Sequence, residues 1–310
     1  MMPVMAKPTY IANVTLFDGK TIKKRQGVLF GTDGIEWIGA HSRAPKGAGD
    51  AREVDGAGKT LLPGLIDVHV HLQFDGSADF EKESKELTSA GFAAIKLIAT
   101  GGVLTPGIPA TFSAFTAEEL EAGVREAHER DLPVAAHAIG ANGIRAAVLA
   151  GVDSIEHCNQ LTAATAREMV ARGTFRSPTI CAVRGILDHA DRVPEYAVEK
   201  AREIEADSKK SHRTAIRAGV RPVCGTDAGT PFNPHGSAPR EVVFMVEWGM
   251  SVLDALRAAT ANGAELLRLA DVGTIEEGKR ADLLLVDGDP VEDPPTLLGR
   301  RNVWRAGIPV

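Results

Sequence analysis

Four histidines of this chain close short apolar runs, and two of them are one residue apart. His69 and His71 end the run Gly-Leu-Ile-Asp-Val-His-Val-His. On a strand, positions i and i+2 point to the same side, so both imidazoles can reach one metal ion. Neutral imidazole is the commonest zinc ligand. His137 ends Pro-Val-Ala-Ala-His, and His157 ends Val-Asp-Ser-Ile-Glu-His. Either alone also reads as a core histidine with a satisfied hydrogen bond. Four together at strand ends are hard to explain by structure alone. Lys96 sits inside the apolar run Phe-Ala-Ala-Ile-Lys-Leu-Ile. A buried ammonium is costly, and a lowered pKa relieves the cost. The neutral amine can then take up carbon dioxide, and the resulting carbamate is an anionic ligand able to bridge two metals. The alternative is a lysine that snorkels to the rim. Asp227 ends Val-Cys-Gly-Thr-Asp, where it can bind metal and act as a general base, or cap a following helix.

Bringing these side chains together requires elements that end at one place. The apolar runs 64–70, 92–98, 133–137, 152–156, 175–181 and 220–225 alternate with helical patterns. That alternation predicts repeated βα units and a parallel sheet. In a (β/α) barrel the C-terminal strand ends form the catalytic face, and each candidate falls there. Helices are predicted over 78–90, over 116–130 behind a Thr-Ala-Glu-Glu capping box, and over 194–218 with Gly219 as its stop. Two more are predicted over 251–260 and 262–269. Both ends of the chain read as β, with strands at 9–17, 26–38, 281–286 and 302–304. The fold class predicted is α/β: a TIM-like barrel over 63–271, and a small β-sandwich in which 1–62 meets 272–310.

Composition narrows the function. The 310 residues are 44% hydrophobic and 25% charged, with a formal net charge of −6, which suits a globular chain with a substantial core. The absence of a basic stripe argues against a nucleic-acid partner. No run approaches the roughly 20 apolar residues that span a bilayer, so no membrane is expected. The first ten residues lack a signal-like apolar stretch. Cys158, Cys181 and Cys224 are widely spaced. They read as buried small side chains in a reducing, cytoplasmic setting rather than a disulfide framework.

Taken together, five motifs resemble the amidohydrolase superfamily, in its imidazolonepropionase-like and Xaa-Pro dipeptidase (prolidase-like) branch. They are Gly-Leu-Ile-Asp-Val-His-Val-His, Ile-Lys-Leu-Ile-Ala-Thr-Gly-Gly from Ile95, Ala-His-Ala around His137, Ser-Ile-Glu-His, and Gly-Thr-Asp-Ala-Gly from Gly225. The closing stretch Gly-Thr-Ile-Glu-Glu-Gly-Lys-Arg-Ala-Asp-Leu from Gly273 resembles the same group. The resemblance implies that His69 and His71 bind a buried metal, that carboxylated Lys96 bridges it to a second, and that His137 and His157 hold the second. It implies two zinc ions, with Asp227 binding the first and shuttling the proton. His235 becomes a candidate substrate contact. The reaction implied is hydrolysis of a C–N bond, in a dipeptide or an N-acyl amino acid, by metal-activated water. Arg184, Arg221 and Arg240 are candidates for holding a substrate carboxylate. The alternatives are a cyclic amidase or deaminase, or a non-catalytic scaffold.

The sequence departs from the resembled pattern in one place. Between His71 and Lys96 there is room for one loop, one helix and one strand, where the family has two further βα units. Six strands are therefore expected rather than eight. The barrel could close with six, stay open against another chain, or be damaged. An open edge needs cover, so a homo-oligomer is expected.

Overall fold

The computed structural model describes residues 7–71 and 94–310. The helix expected over 78–90 and the start of the run 92–98 lie outside the described residues. The strands are β1 (Thr9–Phe17), β2 (Ile22–Gly31), β3 (Gly34–Ala40), β4 (Arg52–Asp55), β5 (Lys59–Pro63), β6 (Ile95–Ile98), β7 (Val134–Ala138), β8 (Ser154–His157), β9 (Phe175–Ser177), β10 (Leu283–Asp287), β11 (Arg301–Arg305) and β12 (Ile308–Pro309). The helices are α1 (Ala117–His128), α2 (Ala141–Ala150), α3 (Ala163–Arg172), α4 (Ile180–Asp188), α5 (Glu195–Ala218), α6 (Ala238–Glu247), α7 (Val252–Ala258) and α8 (Ala261–Leu266). The chain divides into two compact units, one from Met1–Ile66 with Val252–Val310 and the other Asp67–Ser251.

The first unit holds one eight-stranded sheet in the order β12-β11-β10-β5-β1-β2-β3, with β4 also paired to β1. Segments from both ends of the chain therefore share one sheet. Its strands pair antiparallel except where β1 runs parallel to β4 and β5. Asn13 takes φ 53, and the β1–β2 register shifts there, a bulge that bends the long strand. Ile11, Leu16, Phe30, Leu61, Leu283 and Trp304 pack together beneath the sheet. Phe30 and Trp304 meet edge to face, with centroids 5.5 Å apart.

The second unit is a parallel sheet with helices against it. Its strand order among the described residues is β6-β7-β8-β9. Val134, Ala136 and Ala138 alternate into a core with Leu120 and Val124 of α1 and Ile144 and Val148 of α2. Burying each large aliphatic side chain there contributes about 1.5–3 kcal/mol. α1 starts as its sequence predicts. Glu119 N donates to Thr116 Oγ1 at 3.2 Å, and Thr116 N donates to Glu119 Oε2 at 2.9 Å. α5 stops at Gly219, whose φ of 79 suits the left-handed cap.

Two of the six predicted strand runs are not regular strands. The runs 64–70 and 220–225 carry only isolated bridges, Val70 to Ala228 and Pro222 to Arg176. Val68 N donates to Cys224 O, Asp227 N to His69 O and His71 N to Ala228 O, so the two passages still lie side by side. Side chains interrupt the ladder: the Asp67 carboxylate takes the N–H groups of both His69 and Thr226. A third run, 175–181, ends early. β9 stops at Ser177, and Ile180 and Cys181 already belong to α4. Pro178 and the left-handed Thr179, at φ 48, turn the chain between them. No helix of the described residues is long and apolar enough to cross a membrane.

Candidate metal centre

Strand alternation brings most of the candidate residues to one cavity of about 540 Å³. On β7, Ala135 and His137 face it while their neighbours face the helices. On β8, Ile155 packs into the core and Glu156 faces the cavity. His157 would then face away on a regular strand, yet it also lines the cavity. Its φ of 64, followed by 53 at Cys158, turns it back. Asp227 is held the same way, at φ 61. Such left-handed conformations cost about 1–3 kcal/mol each in a non-glycine residue and persist only where packing enforces them.

His69, His71, Lys96, His137, His157 and Asp227 all line this cavity. Asp227 Oδ1 stands 3.1 Å from His69 Nε2 and 2.9 Å from His71 Nε2. Lys96 Nζ lies 3.2 Å from the same His69 Nε2. On its other side His69 Nδ1 meets Glu156 Oε2 at 2.9 Å, and Ser154 Oγ donates to Glu156 Oε1 at 2.6 Å. A carboxylate only accepts, so Nδ1 carries hydrogen, and Nε2 faces Asp227. His137 Nε2 donates to Gly101 O at 2.8 Å, which leaves its Nδ1 to accept or ligate. His157 Nδ1 pairs with Thr179 Oγ1 at 2.6 Å, which leaves its Nε2 facing the neighbouring rings. The His157 ring centroid lies 4.5 Å from that of His137 and 5.3 Å from that of His69.

The electrostatics separate the imidazoles into two kinds. Burial lowers His137 to about 4 and pushes His157 well below its usual value, so both are neutral, ligand-ready rings. Burial works against a charge on His69 as well, but Asp227 and Glu156 overcome it and raise it to about 9. Burial would raise Glu156 and Asp227. The paired His69 instead holds Glu156 at about 2, and His69 with His71 holds Asp227 well below the usual range. Lys96 opens onto the cavity along its side chain, yet enough protein surrounds its amine to lower its pKa, against the pull of Glu156 and Asp227.

These residues fit a divalent cation. The ligand atoms of His69, His71 and Asp227 all lie within 4.8 Å of one another. Asp227 Oδ1 is buried and accepts no hydrogen bond of good geometry, although two ring nitrogens stand within ion-pair distance. Two ring nitrogens and a carboxylate oxygen gathered this closely, with Glu156 behind His69, form a donor set for a divalent cation.

Sequence reasoning missed the residues that hold these side chains in place. Glu156 orients His69, Thr179 orients His157, and the Gly101 carbonyl orients His137. Asp67 ties the first strand passage to the last, accepting from Thr226 N at 3.0 Å and Thr226 Oγ1 at 2.6 Å. The signal for Glu156 was present, a glutamate in phase with Ser154 along an apolar strand; Thr179 gave none. His235 is exposed and is not among the residues lining the cavity. Nor are the three candidate arginines. Arg184 pairs with Asp188 at 2.7 Å, Arg221 lies over the Phe175 ring at 4.1 Å, and Arg240 is exposed.

The sequence profile of the amidohydrolase family matches residues 74–307. The chain belongs to the amidohydrolase family. It is 29% identical to an ochratoxinase of Aspergillus niger over 240 residues, 75% of this chain and 49% of that protein. It is 50% identical to an imidazolonepropionase of Aromatoleum aromaticum over 60 residues, 19% of this chain and 15% of that protein. The chain thus spans about half the length, or less, of these curated amidohydrolase relatives. Its fold superimposes with a TM-score of 0.83 on a crystal structure of an Xaa-Pro dipeptidase with methionine in the active site, at 25% identity, covering 98% of this chain and 100% of that one.

Proposed function

We propose that this amidohydrolase cleaves an amide or peptide C–N bond in a dipeptide or N-acyl amino acid, at a site formed by His69, His71, Lys96, His137, His157 and Asp227. One observation carries the reading: two imidazole nitrogens and a buried carboxylate oxygen converge within 4.8 Å, inside a cavity large enough for a small substrate. The architecture proposed is a (β/α) barrel over 63–271 with six strand passages, joined to a terminal β-sandwich of 1–62 and 272–310. The metals proposed are two zinc ions, bridged by a carboxylated Lys96, in a cytoplasmic homo-oligomer.

When bound, a divalent cation supplies an acidified water and a polarised carbonyl. The chain's own residues do the rest. Asp227 takes the proton from the attacking water and returns it to the leaving nitrogen. Glu156 keeps the His69 ring turned toward Asp227. Val103, Leu104, Ile139, Val183, Ile186 and Ile204 give the cavity apolar walls that hold a hydrophobic group and exclude water. No arginine lines the cavity among the described residues, so these walls support a substrate recognised mainly by an apolar side chain. The likeness to an Xaa-Pro dipeptidase with methionine bound supports a dipeptide-sized amide.

The test is bound metal per chain by elemental analysis, for the wild type and Lys96→Ala purified without chelator. Two equivalents falling to one or fewer support the bridged site, and a screen of dipeptides and N-acyl amino acids follows. One equivalent, unchanged by the substitution, overturns the bridging role of Lys96 and directs the screen to cyclic amides. No metal in either, even after reconstitution with zinc, refutes the hydrolase reading.

A further inference from the structure

Between β6 and α1 the chain forms turns rather than regular structure, and Gly102, Val103, Leu104 and Thr105 of this segment line the cavity. The preceding carbonyl, Gly101 O, holds His137. Backbone carbonyls outside helices and strands need other partners. Here they come from the first turns of α5. Lys200 Nζ donates to Thr105 O at 2.6 Å, to Ile108 O at 2.8 Å and to Gly102 O at 3.5 Å. Tyr196 Oη, one helical turn earlier on the same face, donates to Leu104 O at 3.0 Å. The ammonium also lies 5.9 Å from the Tyr196 ring centre.

An ammonium has three N–H donors, and three carbonyls of one short segment take them. Among the described residues no carboxylate is recorded within ion-pair distance of Lys200. Lys20 and Lys209, by contrast, each face a glutamate, Glu276 at 2.8 Å and Glu205 at 2.7 Å. Lys200 therefore does what a bound monovalent cation does in a carbonyl cage: it gathers backbone dipoles around one positive charge.

We propose that Lys200 is a positioning residue: as a built-in cation it fixes the cavity wall Gly102–Thr105, and thereby substrate binding. The part concerning substrate rests on the reading of this cavity as the site of amide hydrolysis; the part concerning the wall does not. Tyr196 is the second, neutral anchor of the same wall. The wall moves with the clamp, while His69, His71 and Asp227 stand on other passages, so the loss should fall on KM rather than on kcat.

The experiment compares Lys200→Ala, Lys200→Arg and the wild type, with Lys210→Ala as the control for loss of an exposed charge on the same helix. Hydrogen exchange of the amides in 101–112 is read first, since it needs no substrate. Lys200→Ala should exchange there about tenfold faster, with the rest of the chain unchanged. KM for an accepted apolar amide should rise about tenfold with kcat changed less than about threefold. n-Propylammonium, the fragment that the substitution removes, should restore both readouts in Lys200→Ala and leave Lys210→Ala unaffected. Tetramethylammonium, which has the charge but no N–H, should restore neither. Lys200→Arg keeps charge and donors, and its retained protection separates loss of the clamp from a general failure to fold. Unchanged exchange in Lys200→Ala overturns the clamp. Faster exchange with unchanged KM overturns the role in substrate binding. A wild type that hydrolyses no amide overturns the function proposed for the cavity, and the substrate role with it, while the exchange result still decides the clamp.

Discussion

Glu156 Oε2 lies 2.9 Å from His69 Nδ1, and the other oxygen of the same carboxylate accepts from Ser154 Oγ at 2.6 Å. The carboxylate is fully buried and fixes the ring by its hydrogen bond on the far side from Asp227. Carboxylate partners of this kind raise ligand basicity and lock the tautomer. Glu156→Gln removes the charge at nearly constant volume. The expected outcome is metal binding weakened by about 10- to 100-fold, with the fold kept. Competition against a graded series of chelators measures it; equal affinity for both proteins would show that Glu156 only fills space.

Thr179 does for His157 what Glu156 does for His69, but from a strained backbone. It sits at φ 48 and presents Oγ1 to His157 Nδ1 at 2.6 Å. Thr179→Val keeps the β-branched shape and leaves a buried ring nitrogen unpaired. The stability cost expected is about 1–3 kcal/mol, from the lost partner alone. Bound metal should fall in Thr179→Val and be kept in Thr179→Ser, which retains the hydroxyl and relaxes the backbone. Urea unfolding and metal analysis of the two proteins check this, and identical behaviour would remove Thr179 from the centre.

Gly225 leaves no room for a side chain. A Cβ there would stand 2.3 Å from Ser177 Oγ and 2.7 Å from His69 Cβ. Neither is the free end of a long side chain, so the strain must move β9 or the ligand. Overpacking of this kind costs about 1–3 kcal/mol. Gly225→Ala is expected to lose metal affinity as well as stability, since His69 is one of the two atoms' owners. Adding Ser177→Ala should return part of the stability and little of the metal binding. A double variant that regains both would place the strain on Ser177 alone.

The residues that line the cavity were legible in the sequence because their signals are local. His69 and His71 share a side by spacing alone, and Lys96 is conspicuous in an apolar strand. The capping box at Thr116 is local in the same sense, and α1 starts there. What failed to show depends on distant or strained backbone. Glu156 and His157 are adjacent, so strand periodicity lets only one of them face the cavity. Both do, because His157 and Cys158 adopt left-handed conformations that no pattern of residue types announces. The run Phe-Arg-Ser-Pro-Thr-Ile-Cys has the β-branched, apolar character of a strand, yet its last two residues begin α4. The cause lies 60 and 61 positions away, in the Glu241 carboxylate that takes their N–H groups. His235 stands on an exposed loop, where proline and glycine neighbours gave position but no direction.

That long-range cap also makes a prediction about pH. Glu241 is fully buried, and its two oxygens accept from Ile180 N and Cys181 N, each at 2.8 Å. Burial pushes its carboxyl up to about 7; the two backbone N–H groups pull the other way and do not prevail. The folded chain therefore holds a proton that the unfolded chain releases near 4.5. Between those two values the folded state binds more protons, so stability falls as pH rises, and the loss is complete above about 7. A rise from 4.5 to about 7 corresponds to about 3 kcal/mol. His212 opposes this slope, since burial lowers it to about 3 and its contribution is lost as pH falls from 6.5. Asp67, also raised by burial, adds to the slope. Both groups remain in Glu241→Gln, so the difference between the proteins isolates Glu241. Glu241→Gln gives up one of the two caps, a cost independent of pH. Urea unfolding of both at about pH 5 and about pH 8 should show the wild type losing about 2.5 kcal/mol relative to the variant across that interval, the rest having been lost below about pH 5. A difference that stays level with pH would mean that Glu241 is ionised in the folded chain throughout, and that the cap outweighs burial.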